Sequence, residues 1–190
     1  MAARLSVHRN ALAAFLVLVL LAATVSVAAT GNAPEITVRE AEGVYSVGAT
    51  FTVAAPVDAV WAVLTDYDNI PTFMPDVRRS RVLDRENGFV RVEQHAVASF
   101  MLFSRDLHLV LMIEEGPDVL RFGDTAGTSF RRYEGSWSLT STADGTTVTY
   151  ALNARPSFSV PGFVLRRLLD RDARVMIERL RTEIAARGPG

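Results

Sequence analysis

The 190-residue sequence contains no cysteine and no lysine. The first absence removes thiolate nucleophiles, cysteine-ligated zinc or iron–sulfur centres, disulfide staples and a lipid anchor on cysteine. The second makes all 20 basic side chains arginine, which removes Schiff-base and other lysine-activated chemistry. An excess of one charge is missing too: 20 basic residues face 21 acidic ones, so the basic footprint of a nucleic-acid binder is absent and no nucleic-acid partner is expected. Histidine is sparse, with only His95 and His108 beyond the N-terminal region.

Apolar residues, by contrast, are plentiful and concentrated at one end. Arg4, His8 and Arg9 precede residues 11–23, which contain no polar side chain, and Ser26, Val27, Ala28 and Ala29 follow. A basic start, an apolar stretch and a small-residue end are the marks of a secretory signal, here residues 1–29. The alternative is an uncleaved anchor, since residues 11–29 approach the roughly 18 to 20 needed to span a bilayer. Either way the domain is expected outside the cytoplasm, in the periplasm or medium or held at the membrane. Gly31-Asn32-Ala33-Pro34 begins an expected linker over residues 30–43, and the domain is expected over residues 44–187.

Within that domain, Tyr45, Val47, Ala49, Phe51 and Val53 alternate with Ser46, Gly48, Thr50 and Thr52, a half-buried strand. Pro56 and Asp58 suit the first turn of a helix carrying Val60, Trp61, Val63 and Leu64, and Asn69 is placed to cap a second short helix with Ile70, Phe73 and Met74. Turn signals at Asn87-Gly88, Gly116-Pro117-Asp118 and Asp144-Gly145 then join strands at hairpin spacing, giving seven antiparallel strands in all. After Pro161-Gly162 the period changes. Val164, Leu165, Leu168, Leu169, Ala173, Met176, Ile177, Leu180 and Ile184 make one long amphipathic helix with an arginine-rich opposite face. That face suits either anionic lipid or, more simply, salt bridges in water. The fold expected is α+β: a seven-stranded antiparallel sheet curved around the C-terminal helix, with two short helices after the first strand and room for a cavity between the layers.

The run Ala55-Pro56-Val57-Asp58-Ala59-Val60-Trp61-Ala62-Val63-Leu64-Thr65-Asp66-Tyr67, with Phe73-Met74-Pro75-Asp76-Val77, Gly135-Ser136-Trp137-Ser138-Leu139, Gly145-Thr146-Thr147-Val148-Thr149-Tyr150 and Val160-Pro161, resembles the helix-grip START-like (SRPBCC) superfamily. Within it the chain is similar to the polyketide cyclase/dehydrase and coenzyme Q-binding branch. The resemblance implies a helix-grip fold and a hydrophobic ligand such as a lipid, an isoprenoid quinone or a polycyclic aromatic. Because the superfamily also holds aromatic cyclases and regulatory interaction domains, a cyclase/dehydratase-like enzyme or a module acting on an envelope protein are its alternatives.

Cavity-lining residues expected on this basis are Phe73, Met74, Gln94, Leu109, Leu111 and Trp137, with Leu165, Leu169, Met176 and Leu180 from the helix. No cofactor, catalytic residue or metal ligand is assigned. For an enzyme, His95, His108, Arg132 or Tyr133 would handle protons or an oxyanion. Arg91, Glu93 and His95 alternate with Val92, Gln94 and Ala96, and burying unpaired charges is unfavourable, so the charged set is expected to face water and Gln94 to point inward. The two histidines, without a recognised carboxylate partner, are expected to hold no metal. Phe100, Met101, Leu102 and Phe103 form an apolar stretch where a polar connection is usual. It is either the end of a long strand or a lid that touches the membrane transiently.

Overall fold

The computed structural model describes residues 33–188 other than 101 and 102. The expected leader, residues 1–29, lies outside the described residues. In chain order come β1 (Glu35–Ala41), β2 (Val44–Val53), α1 (Val57–Leu64), a 3-10 turn (Tyr67–Asn69), α2 (Ile70–Phe73), β3 (Val77–Glu86), β4 (Phe89–Phe100), β5 (Phe103–Glu115), β6 (Val119–Asp124), β7 (Phe130–Thr142), β8 (Gly145–Pro156) and α3 (Gly162–Arg187). The strands form one antiparallel sheet in the order β1-β2-β8-β7-β6-β5-β4-β3. After β2 the chain therefore crosses to the far edge of the sheet, and α1 and α2 are the crossing segment.

The architecture is the expected α+β one, with eight strands rather than seven. The additional strand, β1, lies in the segment read as linker and pairs with β2 from Glu35↔Thr50 to Ala41↔Val44. Its sequence hides it, because an edge strand carrying Glu35, Arg39 and Glu40 buries little, and only Ile36 and Val38 pack on the core. The turn to β2 uses Glu42 and Gly43, both at positive φ (53° and 77°). Asn87 and Gly88 do the same between β3 and β4 (53° and 81°), the mirror-image turn their identities favour. Between β7 and β8 the turn sits one residue earlier than expected, at Ala143 and Asp144. Gly145 instead starts β8 at φ 132°, where a Cβ would stand 2.2 Å from the Val53 carbonyl oxygen.

Burial along β2 alternates strictly, with Tyr45, Val47, Ala49, Phe51 and Val53 inward. On α3, Leu165, Leu168, Ala173, Ile177, Leu180 and Ile184 are buried, Ile177 completely. Arginines tie this helix down along its length. Arg166 Nη2 donates to the Val38 carbonyl (2.9 Å), Arg171 Nη2 to the Ser99 carbonyl (2.7 Å), and Arg187 Nη1 to Asp66 Oδ2 (2.8 Å). The helix is thus tied to β1, to β4 and to the α1–α2 connection. Ion pairs along its length include Arg174–Asp170 (3.0 Å) and Arg187–Glu183 (2.8 Å). Asn69 precedes α2 without capping it, because its side-chain amide donates to Asp66 Oδ1 (2.8 Å) instead.

Candidate functional site

Curvature of the sheet leaves a cavity of about 340 Å³ between its concave face and α3. Period-two alternation supplies the sheet wall: Gln94 from β4, Leu107 and Leu111 from β5, Phe122 from β6, Trp137 from β7 and Tyr150 from β8. Helical period supplies the opposite wall through Leu165, Leu169, Met176 and Leu180, and Phe73 and Met74 close one side. Nine of the ten expected residues therefore border the cavity. Leu109 is the correction. It shares the inward face of β5 but is packed inside the core cluster, so it supports the wall without forming it.

Two features of the wall set its shape. Trp137 and Tyr150, opposite one another on β7 and β8, have ring centroids 4.4 Å apart. Gly135 sits directly across from Phe122, and a Cβ on it would lie 2.6 Å from the Phe122 ring and 2.2 Å from the Ala151 carbonyl oxygen. The missing side chain lets the ring lie across the strand and lets the sheet bend. Solvent reaches the cavity where exposed lining residues occur, at Pro75 and Asp76 before β3 and at Val175 and Arg179 on α3.

Polar groups in the lining are few. Gln94 does point inward, and its Nε2 donates to Ser80 Oγ (3.3 Å). The Tyr67 hydroxyl donates to a Glu115 carboxylate oxygen (2.8 Å); burial first, then that carboxylate, raises its pKa strongly. Burial pushes Tyr133 up to about 12, helped by the charge of Asp124, and raises Tyr150 as well. These phenols are therefore neutral hydrogen-bond donors at physiological pH. Neither the Tyr133 nor the Tyr150 hydroxyl has a hydrogen-bond partner among the described residues. At the mouth, burial raises Asp172, its hydrogen bond with Arg171 opposes that rise, and Asp76 adds to it. Neither Tyr150 nor Asp172 is among the lining residues expected from the sequence, although Tyr150 follows the inward period of Val148 and Leu152, and Asp172 stands three residues after Leu169 on the apolar stripe.

The proton-handling candidates fall on different sides of the sheet. Tyr133 lines the cavity, whereas Arg132 is exposed and His95 and His108 lie on the opposite face. Arg91, Glu93 and His95 face outward as expected, with Val90 and Val92 buried. The expectation that the histidines lack a carboxylate partner is corrected. Glu93, two residues before His95 on the same face, places Oε1 3.3 Å from His108 Nε2 and 3.7 Å from His95 Nε2. As for the apolar stretch at 100–103, β4 and β5 stay paired up to Phe100↔Phe103, as an extended strand end requires. Met101, Leu102 and the side chains of Phe100 and Phe103 lie outside the described residues.

A family model described as polyketide cyclase/dehydrase and lipid transport matches residues 53–181. The chain belongs to this family. The match contains the two short helices, the cavity wall and most of α3, in agreement with the resemblance carried by residues 55–67 and 135–139. Solved structures share its fold. One is a protein of Thermus thermophilus, with 21% identity, 75% of this chain and 99% of that chain covered, and a TM-score of 0.65. Another is a STAR-related lipid transfer protein of Xanthomonas axonopodis, with 21% identity, 81% and 99% covered, TM-score 0.60. A third is the Zhui aromatase/cyclase of a Streptomyces species, with 18% identity, 77% and 99% covered, TM-score 0.64. No curated protein matches the chain in sequence.

Proposed function

We propose that the protein binds a hydrophobic small molecule carrying a hydrogen-bond acceptor, such as a lipid, an isoprenoid quinone or an oxygenated polycyclic aromatic, and acts as its carrier. The cavity carries this reading: about 340 Å³ lies between sheet and helix, within the range of small-molecule sites, and its walls are overwhelmingly apolar. Burying roughly 300 Å² of apolar ligand surface at about 25 cal/mol per Å² contributes about 7.5 kcal/mol, before the entropy of association is subtracted. The unpartnered hydroxyls of Tyr133 and Tyr150 select for an acceptor such as a carbonyl, because an apolar neighbour leaves both donors unsatisfied.

Carriage is favoured over cyclisation because His95 and His108 lie on the face of the sheet opposite the cavity. The likeness to a lipid transfer protein supports the same reading. An exported chain would meet its ligand at the membrane, and the apolar segment Phe100, Met101, Leu102 and Phe103 at the β4–β5 hairpin end is the proposed point of contact. Native mass spectrometry of the protein purified from its own membrane fraction tests the proposal. A bound apolar species that Met176→Trp abolishes supports it. A chain with no such species that instead converts an added polyketide-like substrate would replace carriage by catalysis.

A further inference from the structure

The outer face of the sheet carries a feature that ligand carriage does not use. We propose that Glu93, His95 and His108 bind a divalent transition-metal ion, with zinc the best fit. Glu93 and His95 are two residues apart on β4 and so project from the same face, while His108 is directly opposite His95 on β5. The imidazole centroids are 4.7 Å apart, and the three ligand atoms all lie within 4.8 Å of one another. Two ligands bound at 2.0–2.1 Å and separated by the tetrahedral angle are about 3.3 to 3.4 Å apart. The Glu93 Oε1 to His108 Nε2 distance of 3.3 Å already has that length, and the 3.7 Å to His95 Nε2 needs only a small rotation of a half-exposed ring.

The chemistry of the donor set agrees with the geometry. Two imidazoles and one carboxylate suit zinc and its first-row neighbours, and three protein ligands leave a position for water or a partner's side chain. The surroundings hold the ligands in place. Arg81 Nη2 engages the other Glu93 oxygen, Oε2, at 3.4 Å, which leaves Oε1 directed between the rings. The His108 backbone N–H donates to Ser129 Oγ (2.9 Å), and its carbonyl accepts from Thr128 Oγ1 (3.1 Å), fixing that point of β5. A bound ion would staple β4 to β5 on the side of the sheet opposite the cavity.

The test is calorimetric titration of the full chain, purified without a histidine tag, with Zn²⁺. One ion per chain should bind saturably. Glu93→Gln, His95→Ala and His108→Ala should each weaken binding about tenfold or more. The Co²⁺-loaded protein should show the visible absorption of a tetrahedral site, absent in His108→Ala. All three ligand side chains are partly exposed, so the variants should keep the parent's metal-free thermal midpoint, which confirms that they are folded. Absence of Zn²⁺ uptake at millimolar concentration, or uptake insensitive to the three ligand substitutions in folded protein, overturns the proposal.

Discussion

Strands β4 and β5 have two faces with different tasks. Toward α3 they present Gln94, Leu107 and Leu111, which wall a cavity; toward water they present Glu93, His95 and His108, which form a polar cluster. One pair of strands carries both because successive side chains alternate sides. A histidine's position on the strand, not its presence in the sequence, therefore decides whether it can act on a cavity ligand. A second contrast lies on α3, where adjacent residues diverge: Ile177 is wholly buried in packed core, while Met176 borders empty space.

The strongest perturbation of that second contrast is Ile177→Ala. Removing a fully packed side chain should cost about 2–5 kcal/mol in chemical denaturation, because the transfer loss and the new void add. Gly135→Ala comes next. Its Cβ would overlap the Phe122 ring and the Ala151 carbonyl oxygen, and overpacking of this kind should cost about 1–3 kcal/mol by the same measurement. Tyr150→Phe separates stability from binding. With no protein partner lost, the unliganded protein should change by less than about 1 kcal/mol, whereas affinity for an acceptor-bearing ligand should fall about tenfold, as one lost hydrogen bond implies.

The smallest effect is expected at the cavity mouth, where Asp172 binds its proton more readily in the folded protein than in the unfolded chain. Stability should therefore decline as pH rises from the ordinary value of 3.8 through the raised one. Asp172→Asn removes that slope: it should be slightly more stable than the parent at neutral pH and equal to it at acid pH. Denaturation midpoints of both proteins across this range check the sign.

Much of this arrangement is legible in the sequence because hydrophobic period reports on burial. The alternation of β2, the turn chemistry at Asn87-Gly88 and the stripe on α3 each point to the element that forms. Strand β1 is illegible because an edge strand needs few apolar residues, and its pairing is made by backbone groups. The Glu93–His95–His108 cluster is illegible for another reason: it depends on the register of β4 against β5, which sets His95 opposite His108. The apolar stripe does not distinguish Met176 from Ile177, since cavity wall and core are both built from apolar side chains. Leu109 fails as a lining residue on the same ground.

Cavity against core is the distinction on which the proposed function depends, and Met176→Trp probes it at the helix wall. Parent and variant are titrated with a fluorescent fatty acid or quinone analogue, and their denaturation curves are compared. Saturable binding of one ligand per parent chain is expected, at least about tenfold weaker in the variant, with stability changed by less than about 1 kcal/mol because the indole enters empty space. A parent that binds no apolar ligand, together with a variant destabilised by roughly 1–3 kcal/mol as in an overpacked core, would contradict carriage.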